Sequence, residues 1–141
     1  MKRLFIFIVI AVTFINNIQA QSKHSLAVSF SGYKNTSGKL YIALFNKEES
    51  FLKSSEAFLF QIINSEKDKT VCNFSNLEKG YYAIAVFHDI NHNGKLDTNL
   101  LGVPNEYYGF SNDATGFMSG PSFSKAKFYL DADKSISIHL H

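Results

Sequence analysis

Apolar and polar residues alternate with a period of two along most of this chain. Leu26, Val28 and Phe30 alternate with Ala27, Ser29 and Ser31, the pattern of a strand with one face in a core and the other near solvent. Leu40 to Phe45 is apolar at successive positions and predicts a strand covered on both faces. Tyr81 to Phe87 is a longer run of the same kind and is expected deepest in the sheet. Phe58 to Ile63 and Thr70 to Phe74 read as further strands. Near the C-terminus, Ala126, Phe128 and Leu130 alternate with Lys125, Lys127 and Tyr129. Ile136, Ile138 and Leu140 then alternate with Ser135, Ser137, His139 and His141. The turn Asp131-Ala132-Asp133-Lys134 joins these last two strands.

About seven strands separated by turn signals predict an all-β, single-domain antiparallel sandwich. The segment from Phe74 through Gly80 to Ile84 ends one strand and restarts another on tyrosine, a local pattern that resembles prealbumin-like sandwiches. Two stretches depart from period two. Lys47 to Ala57 sets Glu48, Glu49 and Glu56 around Phe51 and Leu52, and reads as a short helix or an Ω-like loop. Thr98 to Ser122 has little periodicity and forms one long loop after the fifth strand. Its aromatic residues Tyr107, Tyr108, Phe110 and Phe117, with Phe123 just after it, lie among Gly, Ser and Asn. Loops of this length inside a compact domain are commonly functional or disordered. The aromatics are expected to tuck under the loop and cover one end of the sandwich, the alternative being a recognition surface.

Residues 1–20 have the build of a removable signal peptide: Lys2 and Arg3, an apolar run from Leu4 to Ile15, and the small residue Ala20. The run is shorter than the ~20 residues a bilayer-spanning helix needs. The expected mature chain is therefore 21–141, extracytoplasmic, periplasmic or secreted, with no membrane span. Removing Lys2 and Arg3 takes the 14 basic residues to 12, against 12 acidic ones. A balance near zero gives no electrostatic footprint for nucleic acid. The single cysteine, Cys72, cannot form an internal disulfide and shares a strand face with Phe74, so it is expected as a small buried hydrophobe.

The chemistry concentrates in His88-Asp89-Ile90-Asn91-His92-Asn93-Gly94-Lys95-Leu96-Asp97. Oxygen-bearing side chains at every second residue, then glycine, then an aliphatic residue and an aspartate, give the spacing of a loop that wraps oxygens around calcium. Asp89, Asn91 and Asn93 take the first, third and fifth places. Gly94 permits the sharp turn, Lys95 offers its carbonyl, Leu96 points inward as an anchor and Asp97 ligates directly or through water. The twelfth place is Leu100, not the bidentate glutamate of an EF-hand, and Glu106 is the favoured residue to close the shell. With few charged ligands, the affinity expected is that of extracellular modules, ~10⁻³ to 10⁻⁴ M. The same residues also suit an Asx-rich turn with no ion. His88 and His92 admit a transition metal as a further alternative.

Phe87-His88-Asp89-x-Asn91-x-Asn93-Gly94-x-Leu96-Asp97, then Gly102-x-Pro104-x-Glu106 and Tyr108-Gly109-Phe110-Ser111-Asn112, resemble the bacterial family called domain of unknown function 2141. The likeness runs from about Leu26 to Leu140. Tyr107 departs from it, because the family usually has glycine there. The resemblance implies a secreted β-sandwich and carries no established activity.

No serine-centred elbow, zinc helix motif or phosphate loop is present. The chain therefore reads as a non-catalytic binding or accessory module. A calcium loop would pin the aromatic loop, and Tyr107, Tyr108 and Phe110 would offer a surface to a peptide, a glycan or an envelope protein. One alternative is a structural or adhesion component that assembles through an exposed edge on the Ser25-to-Ser31 side. A hydrolase using Asp89, Asp97 or Glu106 is another.

Overall fold

The structure is a computed structural model that describes residues 22–34, 37–66, 69–116 and 119–141. Residues 1–20, expected to be a signal peptide, and Phe117 of the aromatic loop lie outside the described residues. Among those described, eight strands form two sheets. The smaller sheet has the order β4 (Thr70–Leu77), β1 (His24–Ser31), β8 (Lys134–His139). The larger has the order β3 (Leu59–Asn64), β2 (Lys39–Phe45), β5 (Gly80–Asp89), β6 (Tyr108–Phe110), with β7 (Phe128–Leu130) also paired to β5.

The period-two pattern decides which faces meet. Leu26, Val28 and Phe30 of β1 join Cys72, Phe74 and Ile138 from the same sheet. They pack against Leu40, Ile42, Leu44, Tyr82, Ile84 and Val86 of the facing sheet in one buried core. β2 and β5 are also apolar on their other face, and that face has its own cover. Ala43, Phe45 and Ala83 pack there against Phe123 and Ala126, with Phe51 partly buried beside them. Phe51 sits edge-on to both Phe45 and Phe123. The acidic stretch from Lys47 to Ala57 is thus a looped segment with a short 3-10 turn at Ser54–Glu56, and Phe51 holds it to the sheet.

Four features differ from the sequence reading. Against the about seven strands expected, the described residues form eight, because Tyr108–Phe110 makes a short strand on β5. The long aromatic loop is consequently divided by β6, a 3-10 turn at Ser111–Asp113 and a helical turn, α1 (Phe123–Ala126). Ala126 belongs to that turn, so its place in the alternation with Phe128 reflects burial against Phe45 and not strand pairing. Finally, β1 is the central strand of its sheet, antiparallel to β4 and parallel to β8. No edge is therefore available on the Ser25-to-Ser31 side. The Asp131–Lys134 turn carries the chain from one sheet to the other, since β7 pairs with β5 and β8 with β1.

Between β6 and β7 the ladder on β5 is interrupted, and a serine fills the gap. The Ile84 N–H donates to Ser111 Oγ at 2.8 Å, and Ser111 Oγ–H donates to the Ala126 carbonyl at 2.6 Å. Ser111 is fully buried, consistent with the rule that buried polar groups are paired.

Candidate functional site

The last two residues of β5 point to opposite faces of the larger sheet, as strand geometry requires. His88 faces the core and Asp89 faces outward, yet both are fully buried. Asp89 is buried because the chain folds back over it. Gly94 takes the left-handed conformation at φ 75° and His92 at φ 63°, which bends 90–97 into a compact loop at the end of the strand. A Cβ on Gly94 would lie 3.6 Å from the Tyr41 hydroxyl, so the loop rests beside β2.

Asp89 organises this loop through both carboxylate oxygens. Oδ1 accepts the Asn93 N–H at 3.2 Å and Oδ2 accepts the Gly94 N–H at 2.8 Å. Asn91 Oδ1 also accepts the Asn93 N–H, at 3.1 Å, and Asn93 Oδ1 accepts the Lys95 N–H at 2.8 Å. The two amide groups then donate to one carboxylate: Asn91 Nδ2 to Asp97 Oδ2 at 2.5 Å and Asn93 Nδ2 to Asp97 Oδ1 at 2.9 Å. Leu96 and Asp97 are half-buried, whereas Asn91, His92, Asn93 and Lys95 are exposed.

Glu106 reaches the same loop from the returning chain. Its carboxylate is buried and accepts the Ile90 N–H at 3.0 Å on Oε1 and the Asp97 N–H at 3.1 Å on Oε2. The Asn105 N–H donates to the Asp97 carbonyl at 2.8 Å. Three carboxylates, Asp89, Asp97 and Glu106, therefore share one end of the sheet. Neither ion pair formed by the described residues involves any of them; those pairs are Lys23–Glu78 and Lys53–Glu56. Among the described residues no group of three or more His, Cys, Asp or Glu side chains converges closely enough to hold a metal ion by itself. Any cation coordination here draws on amide and carbonyl oxygens as well, which is the donor set calcium prefers. The oxygens suit that use. A carboxylate or carboxamide oxygen has two lone pairs, so one that accepts an N–H can also face a cation.

His88 stands apart from this set. Its Nε2–H donates to the Ser37 carbonyl at 2.8 Å, its Nδ1 has no hydrogen-bond partner, and its ring lies 5.1 Å from that of Tyr33. Burial lowers its pKa, opposed by the bond to Ser37 and by the charges of Glu106 and Asp89. His92 is exposed on the loop, so the two histidines do not share a site.

The aromatic residues of the following segment divide by the same alternation. Tyr107 is half-buried and packs against the core, its ring 6.3 Å from His88. Tyr108 pairs with Phe87 and Phe110 with Ala85, which sets Tyr108 and Phe110 on the outer face. Their rings meet edge to face at 5.9 Å. Tyr41 and Phe87 stack at 4.9 Å, and Tyr41 meets Phe60 at 6.0 Å. Register aligns Ile62, Tyr41, Phe87 and Tyr108 in one row across β3, β2, β5 and β6. The sequence reading did not single out Tyr41 or Phe60, and named Phe87 only as part of the family motif, not as a surface residue. Their signal was present, since Tyr41 and Phe87 are aromatics on the odd face of a strand whose even face is core and Phe60 lies on the face of β3 opposite Ile63, but which strands adjoin is not written in the period.

Two β-sheets, with a carboxylate- and amide-rich loop closing one end, define a β-sandwich-like protein built around strand-end loops. No curated protein and no solved structure matches the chain. The chain belongs to DUF2141, a family described as an uncharacterized protein conserved in bacteria, which it matches over residues 28–139.

Proposed function

We propose that this protein is an extracytoplasmic, non-catalytic binding module whose 89–97 loop takes a calcium ion. One observation supports the reading: Asp89 and Glu106 are buried carboxylates that form no ion pair with a basic side chain among the described residues, with Asp97 beside them. Buried charges are normally paired with an opposite charge or engaged by a metal. Asp89, Asn91, Asn93, the Lys95 carbonyl and Asp97 supply the ligating oxygens. Glu106 adds charge and braces the loop at both ends. The ion replaces the two amide donors that otherwise face Asp97, and fixes the 89–106 segment to the sheet.

In this reading the ion is a clasp and the ligand surface lies beside it. Tyr108 and Phe110, with Tyr41 and Phe87 in the adjoining strands, offer ring faces to a ligand with flat apolar surfaces, such as a glycan or a peptide segment of an envelope protein. The structural or adhesion alternative draws on β3. This edge strand exposes Phe60 and Ile62, 46% and 47% accessible, and so could pair with a partner strand.

The test is a thermal melt of the chain from Gln21 in EDTA, in calcium and in magnesium, with Asp89→Ala alongside. Calcium at a hundred times its Kd stabilises by about 2.7 kcal/mol, which raises the melting temperature by several degrees for a domain of this size. A calcium-specific rise that is lost in Asp89→Ala supports the clasp. No rise at about 10 mM calcium, well above the expected Kd range, reduces the loop to an Asx-rich turn.

A further inference from the structure

The segment that returns from the loop to β6 forms a small hairpin of its own. Its base is the Asn105 N–H to Asp97 carbonyl bond and a bridge between Thr98 and Pro104. Its tip displays Leu100, Leu101 and Val103, with accessibilities of 105%, 86% and 54%. We propose that this tip is a lipid-inserting element, and that the three aliphatic side chains enter the interfacial layer of a bilayer.

Three observations favour a bilayer over other partners. The tip is open to solvent: Leu100 and Leu101 are almost fully exposed, and a Cβ placed on Gly102 meets no heavy atom within 4 Å. The exposed apolar residues of β3 are different, since Phe60 lies against Tyr41 on the sheet. Next, the tip pairs most of its own backbone donors: of Asn99 to Val103, four N–H groups are bonded within it and that of Leu100 is not. Asn99 Oδ1 accepts the N–H groups of Leu101 at 2.9 Å and Val103 at 3.0 Å. The Asn99 N–H donates to the Val103 carbonyl, and the Gly102 N–H to the Asn99 carbonyl. Pro104 carries no N–H. A hydrocarbon environment penalises unsatisfied amides severely, and the pairing of four of these five donors reduces that penalty. Last, no residue from Thr98 to Asn105 is charged, so insertion carries no charge-burial cost.

The arrangement is also ordered in advance. The side chain of Asn99 holds the turn, and the base is tied through Asp97 and Glu106 to the end of β5. Insertion therefore does not require the tip to order first. Three aliphatic side chains give reversible attachment of a peripheral kind, far weaker than a spanning helix. This inference goes beyond the calcium reading and does not depend on it, because the bonds that shape the tip are internal to it.

The chain contains no tryptophan, so Leu101→Trp reports on the tip alone. The experiment adds vesicles of pure phosphatidylcholine, and of phosphatidylcholine with phosphatidylglycerol, to the chain from Gln21 carrying that substitution, in EDTA. The chain from Gln21 contains every described strand of both sheets. The proposal expects a saturable blue shift with both vesicle types, quenched by brominated acyl chains and retained at about 0.5 M salt, where surface charge is screened. Val71→Trp, on a half-exposed strand position, should show no shift. The pair Leu100→Ser with Val103→Ser, in the chain carrying Leu101→Trp, should lower the vesicle partition coefficient on the order of a hundredfold. A tip tryptophan unmoved by lipid overturns the proposal. So does a shift that appears with rising protein concentration without lipid, which would mark the tip as a protein contact. A shift confined to anionic vesicles and abolished by salt overturns it as well.

Discussion

The Glu106 carboxylate accepts the Asp97 backbone N–H at 3.1 Å while its other oxygen accepts that of Ile90 at 3.0 Å. One buried side chain thus joins the first turn of the loop to its last residue, nine positions further along the chain from Asp97. The loop's closure is a property of Glu106 as much as of the Asx residues within it.

Glu106→Ala leaves two amide donors without their acceptor at a site where water has little access. The expected cost is about 2–4 kcal/mol, since each bond is charge-assisted. Glu106→Gln keeps one acceptor oxygen and should lose roughly half as much. Equilibrium urea unfolding of the two variants and the parent measures this. Equal stabilities for all three would mean that the brace is without consequence.

Ser111→Ala removes the hydroxyl that bridges Ile84 and Ala126 across the gap between β6 and β7. The Ile84 amide is then buried unsatisfied, at a cost of about 1–3 kcal/mol. The same unfolding experiment reads it, and a variant within about 0.3 kcal/mol of the parent would show that water replaces the serine.

Cys72 is buried and donates its S–H to Gln61 Oε1 at 3.1 Å. Burial pushes its pKa up to about 11, so the thiolate is scarce at neutral pH. A thiol reagent at pH 8 should leave the folded protein unmodified and label one site per chain after unfolding. Fast labelling of the native chain would place Cys72 at an accessible surface.

Stability should fall as the solution is acidified below about pH 6.5. Burial holds the His88 pKa below its ordinary value of 6.5. Between that value and the lower folded one, the unfolded chain binds a proton that the folded chain does not. The stabilising contribution is complete above the unfolded pKa and is lost as pH drops through the folded one. Unfolding curves between pH 7.5 and 5.5 should show this slope in the parent, and a weaker slope in His88→Leu. Identical slopes would assign the effect to other groups.

Much of this was legible in the chain. The alternation around Leu26, Val28 and Phe30 named the inner face of β1. The continuous run from Leu40 to Phe45 signalled cover on both sides, which Phe51 and Phe123 supply. The spacing of Asp89, Asn91, Asn93, Gly94 and Asp97 gave the loop, and Glu106 lies where the returning chain meets it. What local pattern could not carry is partnership. Three residues at Tyr108–Phe110 are too few to establish a period, so β6 was hidden. The parallel pairing of β1 with β8 joins segments about a hundred residues apart, and nothing in the alternation of either strand names the other. Tyr107 and Tyr108 look alike in sequence. Only the pairing of Tyr108 with Phe87 determines that one ring enters the core and its neighbour faces outward.

The most direct measurement of the central claim is a calcium titration followed by the backbone amide resonances of the chain from Gln21. The clasp predicts saturable shifts centred on Asn93, Gly94, Lys95 and Asp97. They should reach half-saturation at about 10⁻⁴ to 10⁻³ M calcium, be absent with equal magnesium and be lost in Asp89→Ala. Resonances in 89–106 that stay fixed to about 10 mM calcium, or that move equally with magnesium, would contradict the account and leave a loop held by its own hydrogen bonds.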